Sequence, residues 1–251
     1  MSHPFSRTEL IYGREAMEKL ATARVAIFGI GGVGGYTLEA LARSGVGQLD
    51  LIDSDKVSLT NLNRQILATH ETLGQFKVDA AAERVKSINP DCVVRTCRTF
   101  YLPETQGEFD FTQYDYVVDA IDTVSGKLAL IQQAQAAGTP IISAMGAGNK
   151  VDPGQFRVAD LYETRGCPLA RIMRRECRRR GIRQLKVVYS PEKPVCPPEE
   201  PGDEEPGEKE CPPEGRRTIP GSTAFVPAAA GLLIAGEVVK DLTGFTGEGC
   251  L

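Results

Sequence analysis

The sequence predicts an α/β protein built on a doubly wound, mostly parallel sheet with additions toward the carboxy terminus. Three observations point there. Short apolar runs bounded by turn residues recur at 24–30, 48–53, 93–100, 116–120 and 140–144. Helical stretches separate them, one beginning at Gly34 and others at about 77–89 and 125–138. Glycines stand directly between the first apolar run and the first of these helices, which is how a strand–helix–strand unit opens.

Each element follows from its own residues. After Gly34, the residues Leu38, Leu41 and Ala42 fall on one helical face. Val117, Val118, Ile141 and Ile142 are consecutive apolar residues, as expected of strands covered on both sides. Beyond Gly154 the pattern loosens into a strand at 156–159, an arginine-rich helix at about 168–180 and a strand at 184–189. Residues 191–215 are rich in proline and glutamate. They carry too little apolar surface to offset the cost of ordering, and read as a mobile loop. Gly221, Ser222 and Thr223 supply a helix start, and 224–242 is the last helix. Residues 8–245 are read as one domain that contains the acidic loop.

A chain of 251 residues, 41% apolar and 25% charged, can bury a sizeable core without disulfides or metals. Its formal charge of −4, taken as an average, argues against a nucleic-acid partner. The average conceals two opposed patches. Residues 192–214 hold nine acids and two lysines, a net −7, whereas 165–186 hold nine basic residues and one acid, a net +8. No secretory leader pattern opens the sequence, so a cytoplasmic setting with reduced thiols is expected. The longest apolar stretch, 223–236, is 14 residues, short of the roughly 20 that span a bilayer. A buried helix is expected there, although its alanine and glycine content leaves a weaker membrane reading open.

The chemistry concentrates at the carboxyl ends of the strands. Gly29-Ile30-Gly31-Gly32-Val33-Gly34 matches G-x-G-x-x-G between strand and helix. Its glycines let backbone approach phosphates, and the helix N-terminus offers free N–H groups and a positive dipole end. Asp53, closing the second strand, is placed to accept hydrogen bonds from ribose hydroxyls. This much describes a Rossmann-like nucleotide site and is compatible with a nicotinamide-dependent oxidoreductase.

The next segment adds more. Asn61, Arg64 and Gln65 put a guanidinium and polar amides in the following loop, and Lys77 opens the next helix. A dehydrogenase has no use for both cations there. An enzyme that splits ATP between its α- and β-phosphates does, because both stabilise charge on phosphorus and on the leaving pyrophosphate. Asp122, ending the fourth strand, supplies a carboxylate for Mg²⁺ on the same phosphates.

This set resembles the ThiF/MoeB family, the adenylating domains of ubiquitin-activating-type enzymes. The matching elements are the glycine motif, the D-x-D of Asp53 and Asp55, the N-x-x-R-Q from Asn61 to Gln65, Lys77 and Asp122. The resemblance implies a homodimer using ATP and Mg²⁺. It implies Asp53 on the ribose, Asn61, Arg64, Gln65 and Lys77 at the phosphates, and Asp122 on the metal. Arg14 resembles the arginine that members lend across the dimer interface to the partner's γ-phosphate. Within the family, Gly146-Ala147-Gly148, Val151-Asp152-Pro153, Pro168-Leu169-Ala170, the arginine-rich helix and Gly221-Ser222-Thr223 look like the tRNA threonylcarbamoyladenosine dehydratase branch. The resemblance covers about 8–190 and 216–245. It implies ATP-dependent cyclisation of N6-threonylcarbamoyladenosine in tRNA. An activator of a ubiquitin-like or sulfur-carrier protein stays open as an alternative, although the paired C-x-x-C ligands common there are missing.

Two further groups were expected from local sequence. Arg171, Arg174, Arg175, Arg178, Arg179 and Arg180 crowd one helix. Like charges at i, i+3 and i, i+4 repel, and the phosphates of tRNA would relieve them; pairing with acidic residues, such as those of 199–210, is the competing source of relief. Nothing local marks Cys167 or Cys177 as an activated thiol. Cys196 and Cys211 read as unrelated exposed thiols, with pairing or metal binding from the loop as the alternative.

Overall fold

The computed structural model describes residues 3–195 and 220–245. Seven strands form one sheet in the order β3-β2-β1-β4-β5-β7-β6. The strands are β1 (Arg24–Phe28), β2 (Gln48–Ile52), β3 (Val93–Cys97), β4 (Tyr116–Asp119), β5 (Ile141–Ala144), β6 (Arg157–Asp160) and β7 (Lys186–Tyr189). All neighbours pair in parallel except β6, which runs antiparallel to β7 at the edge. The chain steps outward from β1 to β2 and β3, then returns to β1's other side with β4. That reversal creates a crevice between the carboxyl ends of β1 and β4.

Helices cover both faces. Leu20 of α2 (Arg14–Thr22), Leu38 and Leu41 of α3 (Gly34–Arg43), Val78 and Val85 of α4 (Lys77–Ile88) and Ile234 and Val238 of α7 (Val226–Thr243) pack with Val25 and Ile27 of β1. On the other face α5 (Val124–Ala137) sets Ala129 and Leu130 against Ala26 and Phe28. The alternation along β1 is what a doubly covered strand requires. Phe28 is ringed by Tyr101, Phe109 and Phe111 at 5.0, 5.4 and 5.5 Å between centroids, each such pair adding about 0.5–1.5 kcal/mol beyond burial. Helix α6 (Pro168–Arg179) packs through Ala170, Met173 and Cys177 in a separate cluster with α5 and β7.

The apolar C-terminal stretch is α7. Gly231 brings it against α3, where an added Cβ would lie 2.4 Å from the Val33 carbonyl, and Thr37 Oγ1 donates to the Gly231 carbonyl at 3.1 Å. The helix is thus a core element, and among the described residues no helix is long and apolar enough to cross a membrane.

Several boundaries differ from the sequence reading. Strand β1 stops at Phe28 because Gly29 turns to φ +90°. Strand β3 stops at Cys97, freeing Thr99 to Tyr101 to bend over the crevice. Helix α7 begins at Val226, with Pro227 in its first turn and the Thr223 hydroxyl accepting from the Val226 amide at 3.4 Å. The N-terminal helices α1 (Ser6–Tyr12) and α2 were not anticipated. Residues 191–195, expected as the start of the mobile loop, are anchored: the Glu192 carboxylate accepts from the Val151 and Asp152 amides at 2.9 and 3.2 Å. The remainder of that acidic loop, with Cys196 and Cys211, lies outside the described residues.

Candidate active site

The crevice at the β1/β4 reversal has a volume of about 450 Å³. Gly29, Gly31 and Gly32 form its floor, and Asp53, Asp55, Asn61, Arg64, Gln65, Lys77 and Asp122 all line it. The glycine geometry explains the motif. Gly29 has φ +90°, and a Cβ there would lie 2.7 Å from the Ala120 carbonyl of the neighbouring strand end. A Cβ on Gly34 would lie 1.8 Å from the Gly29 carbonyl, so the first turn of α3 closes tightly under the loop. Gly34 therefore supports the loop from beneath and does not line the crevice.

Asp53 fastens the loop to β2. Its Oδ2 accepts from the Ile30 amide at 2.7 Å and its Oδ1 from the Asp55 amide at 2.8 Å. Burial raises its pKa above the ordinary aspartate value, although Lys77 and these two amides pull the other way. Lys77 is almost fully buried and lies between two carboxylates, with Nζ 2.6 Å from Asp55 Oδ2 and 3.8 Å from Asp53 Oδ2. Its backbone amide donates to the Asp55 carbonyl at 2.9 Å, so α4 starts with this side chain already aimed at the crevice.

Asn61 closes the 3₁₀ turn Leu59–Asn61, its Oδ1 accepting from the Ser58 amide at 3.2 Å. Arg64 is held by the Thr60 carbonyl at 2.7 Å and by Asn63 Oδ1 at 3.0 Å. These bonds preset the guanidinium's approach without neutralising its charge. Asp122 is exposed on the opposite wall, three residues beyond β4. A lone carboxylate suits Mg²⁺, which usually takes one or two protein oxygens and completes its shell with water and nucleotide phosphates. The described residues contain no group of three or more acidic, His or Cys side chains placed to hold a metal ion.

The structure adds groups that sequence reasoning left out. Thr99, Phe100 and Tyr101 form the wall beyond β3, and Ala147, Gly148, Pro220, Gly221, Ser222 and Pro227 form the far wall. Beneath β4 and β5 lies a buried ion pair. Lys127 Nζ donates to both Asp119 oxygens at 3.1 Å, to Ser143 Oγ at 3.3 Å and to the Ala144 carbonyl at 2.7 Å. Both side chains are at most 1% exposed. A single Asp in the apolar run Val117-Val118-Asp119-Ala120, followed by a Lys eight positions on, was the available signal.

Two predicted groups lie elsewhere. Arg14 stands 84% exposed beside Glu18, 3.0 Å away, on a cavity of about 650 Å³ that Gly47, Gln48 and Val93 place at the amino edge of the sheet. The arginines of α6 are largely engaged within the chain, the intrachain pairing with acidic residues that competes with an outside polyanion for relief of their crowding. Glu176 accepts from Arg175, Arg179 and Arg180 at 3.1, 3.4 and 2.9 Å. Arg174 bonds the Thr164 carbonyl at 2.8 Å, and Arg178 stacks on the Tyr162 ring at 5.2 Å. Arg171 is also engaged, while Arg175 and Arg179 keep 67% and 70% of their side chains exposed. Cys167 and Cys177 are buried, and burial pushes the Cys177 thiol up to about 11.

The family model described as the ThiF family matches residues 5–250. The chain belongs to the ThiF family. Within it, the chain is 43% identical over 243 residues to the tRNA threonylcarbamoyladenosine dehydratase of Bacillus subtilis, covering 96% of this chain and 95% of that protein. The Escherichia coli protein of the same name is 42% identical over 170 residues, covering 68% and 63%. Solved structures of that E. coli dehydratase, TcdA, in complex with ATP and with AMP superpose with TM-scores of 0.83 at 33% identity, over 96% of this chain and 94% of theirs. The E. coli MccB structure with ATP shares the fold, with a TM-score of 0.66 at 22% identity over 97% of this chain and 64% of that one. The match to the Bacillus subtilis dehydratase thus runs over nearly the full length of both chains.

Proposed function

We infer that this protein is an ATP-dependent tRNA-modifying enzyme that adenylates the carboxylate of N6-threonylcarbamoyladenosine and cyclises it with loss of water. The observation that carries the ATP half is the convergence of Arg64, Lys77 and Asp122 on one glycine-floored crevice. The tRNA half rests on the relatives' substrate and on the exposed guanidinium groups of α6.

A threonyl carboxylate is a poor electrophile because its leaving group would be oxide. One carboxylate oxygen attacks the α-phosphorus of ATP, the bond to the bridging oxygen breaks, and pyrophosphate departs with its electron pair. Lys77 and Arg64 stabilise the charge that grows on the phosphates. The neighbouring carbamoyl group then attacks the acyl carbon, releasing AMP and a proton and closing the ring. Nucleophile and electrophile share one molecule, so proximity supplies much of this step. No enzyme thiol is needed, in keeping with a buried Cys177 whose pKa is raised. Mg²⁺ bound to Asp122 would screen the phosphate charges.

Asp53 takes the ribose, while the backbone of Gly29 to Gly34 and the side chains of Asn61 and Gln65 meet the phosphates. Arg14 sits at the sheet's opposite edge, so its role at a phosphate is played in the crevice of a second copy, making the working unit a homodimer. Arg171, Arg174, Arg175, Arg178 and Arg179 present α6 to tRNA in the cytoplasm, with Arg175 and Arg179 as the principal phosphate contacts.

The test is incubation with ATP, Mg²⁺ and tRNA bearing the threonylcarbamoyl nucleoside, followed by mass spectrometry of the nucleosides. Loss of one water, abolished by Lys77→Ala, is expected. An unchanged nucleoside mass with adenylation of a carrier protein would assign the crevice to a protein carboxy terminus instead.

A further inference from the structure

Asn149 is the one non-glycine residue with positive φ, +56°, among the described residues. Such a conformation costs free energy and persists where surrounding contacts over-determine it. Here the contacts are specific. The Asn149 amide donates to the Gly221 carbonyl at 2.8 Å, and its side-chain Oδ1 accepts from the Gly221 amide at 2.6 Å. The turn thus grips one residue by both of its backbone polar groups. Its carbonyl also accepts from the Val195 amide at 2.6 Å. The next residue, Lys150, is buried and donates to the Ser190 and Glu192 carbonyls at 2.9 and 2.8 Å, which fixes the turn from behind.

Asn149 itself does not line the crevice, but the residues it joins do: Gly148 on one side, Pro220, Gly221 and Ser222 on the other. The two segments are in close contact, since a Cβ on Gly148 would lie 2.8 Å from Pro220 Cβ. A third tie comes from Asn63 Nδ2, which donates to the Ser222 carbonyl at 3.0 Å, linking this wall to the loop that carries Arg64.

The location of the wall assigns its use. Along the carboxyl edge of the sheet, the groups suited to the nucleoside follow β2 and β3, and the glycine floor follows β1. The Asn149 wall follows β5, on the far side of Asp122. It is built of backbone and small side chains, with no cation from residues 147–148 or 220–222. It is therefore a seat for a compact second reactant.

We propose that Asn149 is a positioning residue that pins Gly221 so that Gly148 and Pro220 to Ser222 form the seat for the threonylcarbamoyl group. The proposal rests on the functional reading above and adds the side from which the acceptor enters.

Two full-length variants separate the roles of backbone and side chain. Asn149→Gly keeps the positive φ and deletes the Oδ1 acceptor, whereas Asn149→Asp keeps both. Loss of one such hydrogen bond should raise KM for modified tRNA by about five- to tenfold in Asn149→Gly. ATP affinity, read with a fluorescent ATP analogue, stays within about twofold, and Asn149→Asp recovers most of the loss. An unchanged tRNA KM in Asn149→Gly, or ATP affinity weakening in parallel with it, would overturn the proposal. So would failure of Asn149→Asp to recover. Wild-type protein run alongside distinguishes the larger failure: if it binds ATP yet leaves the nucleoside mass unchanged, the functional reading falls and takes this seat with it.

Discussion

Lys127→Met removes the ammonium from a site where Asp119 and Lys127 are both at most 1% exposed. Asp119 would keep the Ser143 hydroxyl at 2.5 Å and the Ile121 amide at 3.4 Å, but its charge would stand uncompensated in the sheet. Breaking a buried pair by deleting one partner costs about 3–5 kcal/mol. In a domain of this size each kcal/mol moves the midpoint by roughly 2–4 °C, so the melting temperature should fall by roughly 6–20 °C. Adding Asp119→Asn removes the orphaned charge and should recover about half of the loss or more. Differential scanning calorimetry of the wild type, the two single variants and the double variant measures both quantities. The reasoning fails if Lys127→Met melts within about 2 °C of wild type, or if the double variant is no more stable than Lys127→Met. Ala120 to Thr123 follow β4 and Ala147 and Gly148 follow β5, and all line the crevice. ATP affinity should therefore drop in Lys127→Met even at temperatures where the protein stays folded.

Further outcomes follow from other parts of the structure. Lys77→Ala, with a cation removed from the phosphate site, should lower turnover about 10²- to 10³-fold in a pyrophosphate-release assay, and a loss under about threefold would exclude Lys77 from that role. Co-expressed Arg14→Ala and Lys77→Ala chains should regain roughly a quarter of wild-type turnover through mixed dimers with one intact site; no recovery would place Arg14 in its own chain's chemistry, and full activity of Arg14→Ala alone would place it outside the chemistry. Arg175→Ala with Arg179→Ala should reduce the salt dependence of tRNA binding by about one in log–log slope per residue, against an unchanged slope if α6 faces solvent. Burial raises the Glu39 pKa, but hydrogen bonds from Arg84 and Arg43 outweigh it and hold the carboxyl below its ordinary value. The stability this gives is present above the unfolded glutamate value of about 4.3 and is lost as pH falls through the folded one. Glu39→Gln should flatten the acid limb of the melting curve there, and an identical slope would disprove the linkage.

The parallel sheet and the nucleotide side of the crevice were legible because their signals are local. Val25 to Phe28 form an apolar run, and Gly29 and Gly34 each meet a steric demand that only glycine satisfies. Arg64 and Lys77 stand out because cations are unexpected next to a dinucleotide loop. The far wall was not legible as part of the site: Gly148 and Gly221 are 73 positions apart, and only the tertiary turn at Asn149 joins them. Asp119 and Lys127 escaped notice because a buried ion pair leaves the same residue types in sequence as two surface charges. On α6 the arginines were counted correctly, but the role of Glu176 depends on rotamers that bring three guanidinium groups to one carboxylate.

The turn at Asn149 also has a meaning for how such a chain changes length. Val195 and Gly221 both bond to this one residue, so two positions 26 residues apart in sequence meet at a single turn. The anchored residues that flank this stretch are therefore Val195 and Gly221, whereas composition places the acidic segment at 191–215. A foreign peptide or reporter domain spliced within 196–219 would therefore join the described fold at this one turn, beside Gly148 and Gly221.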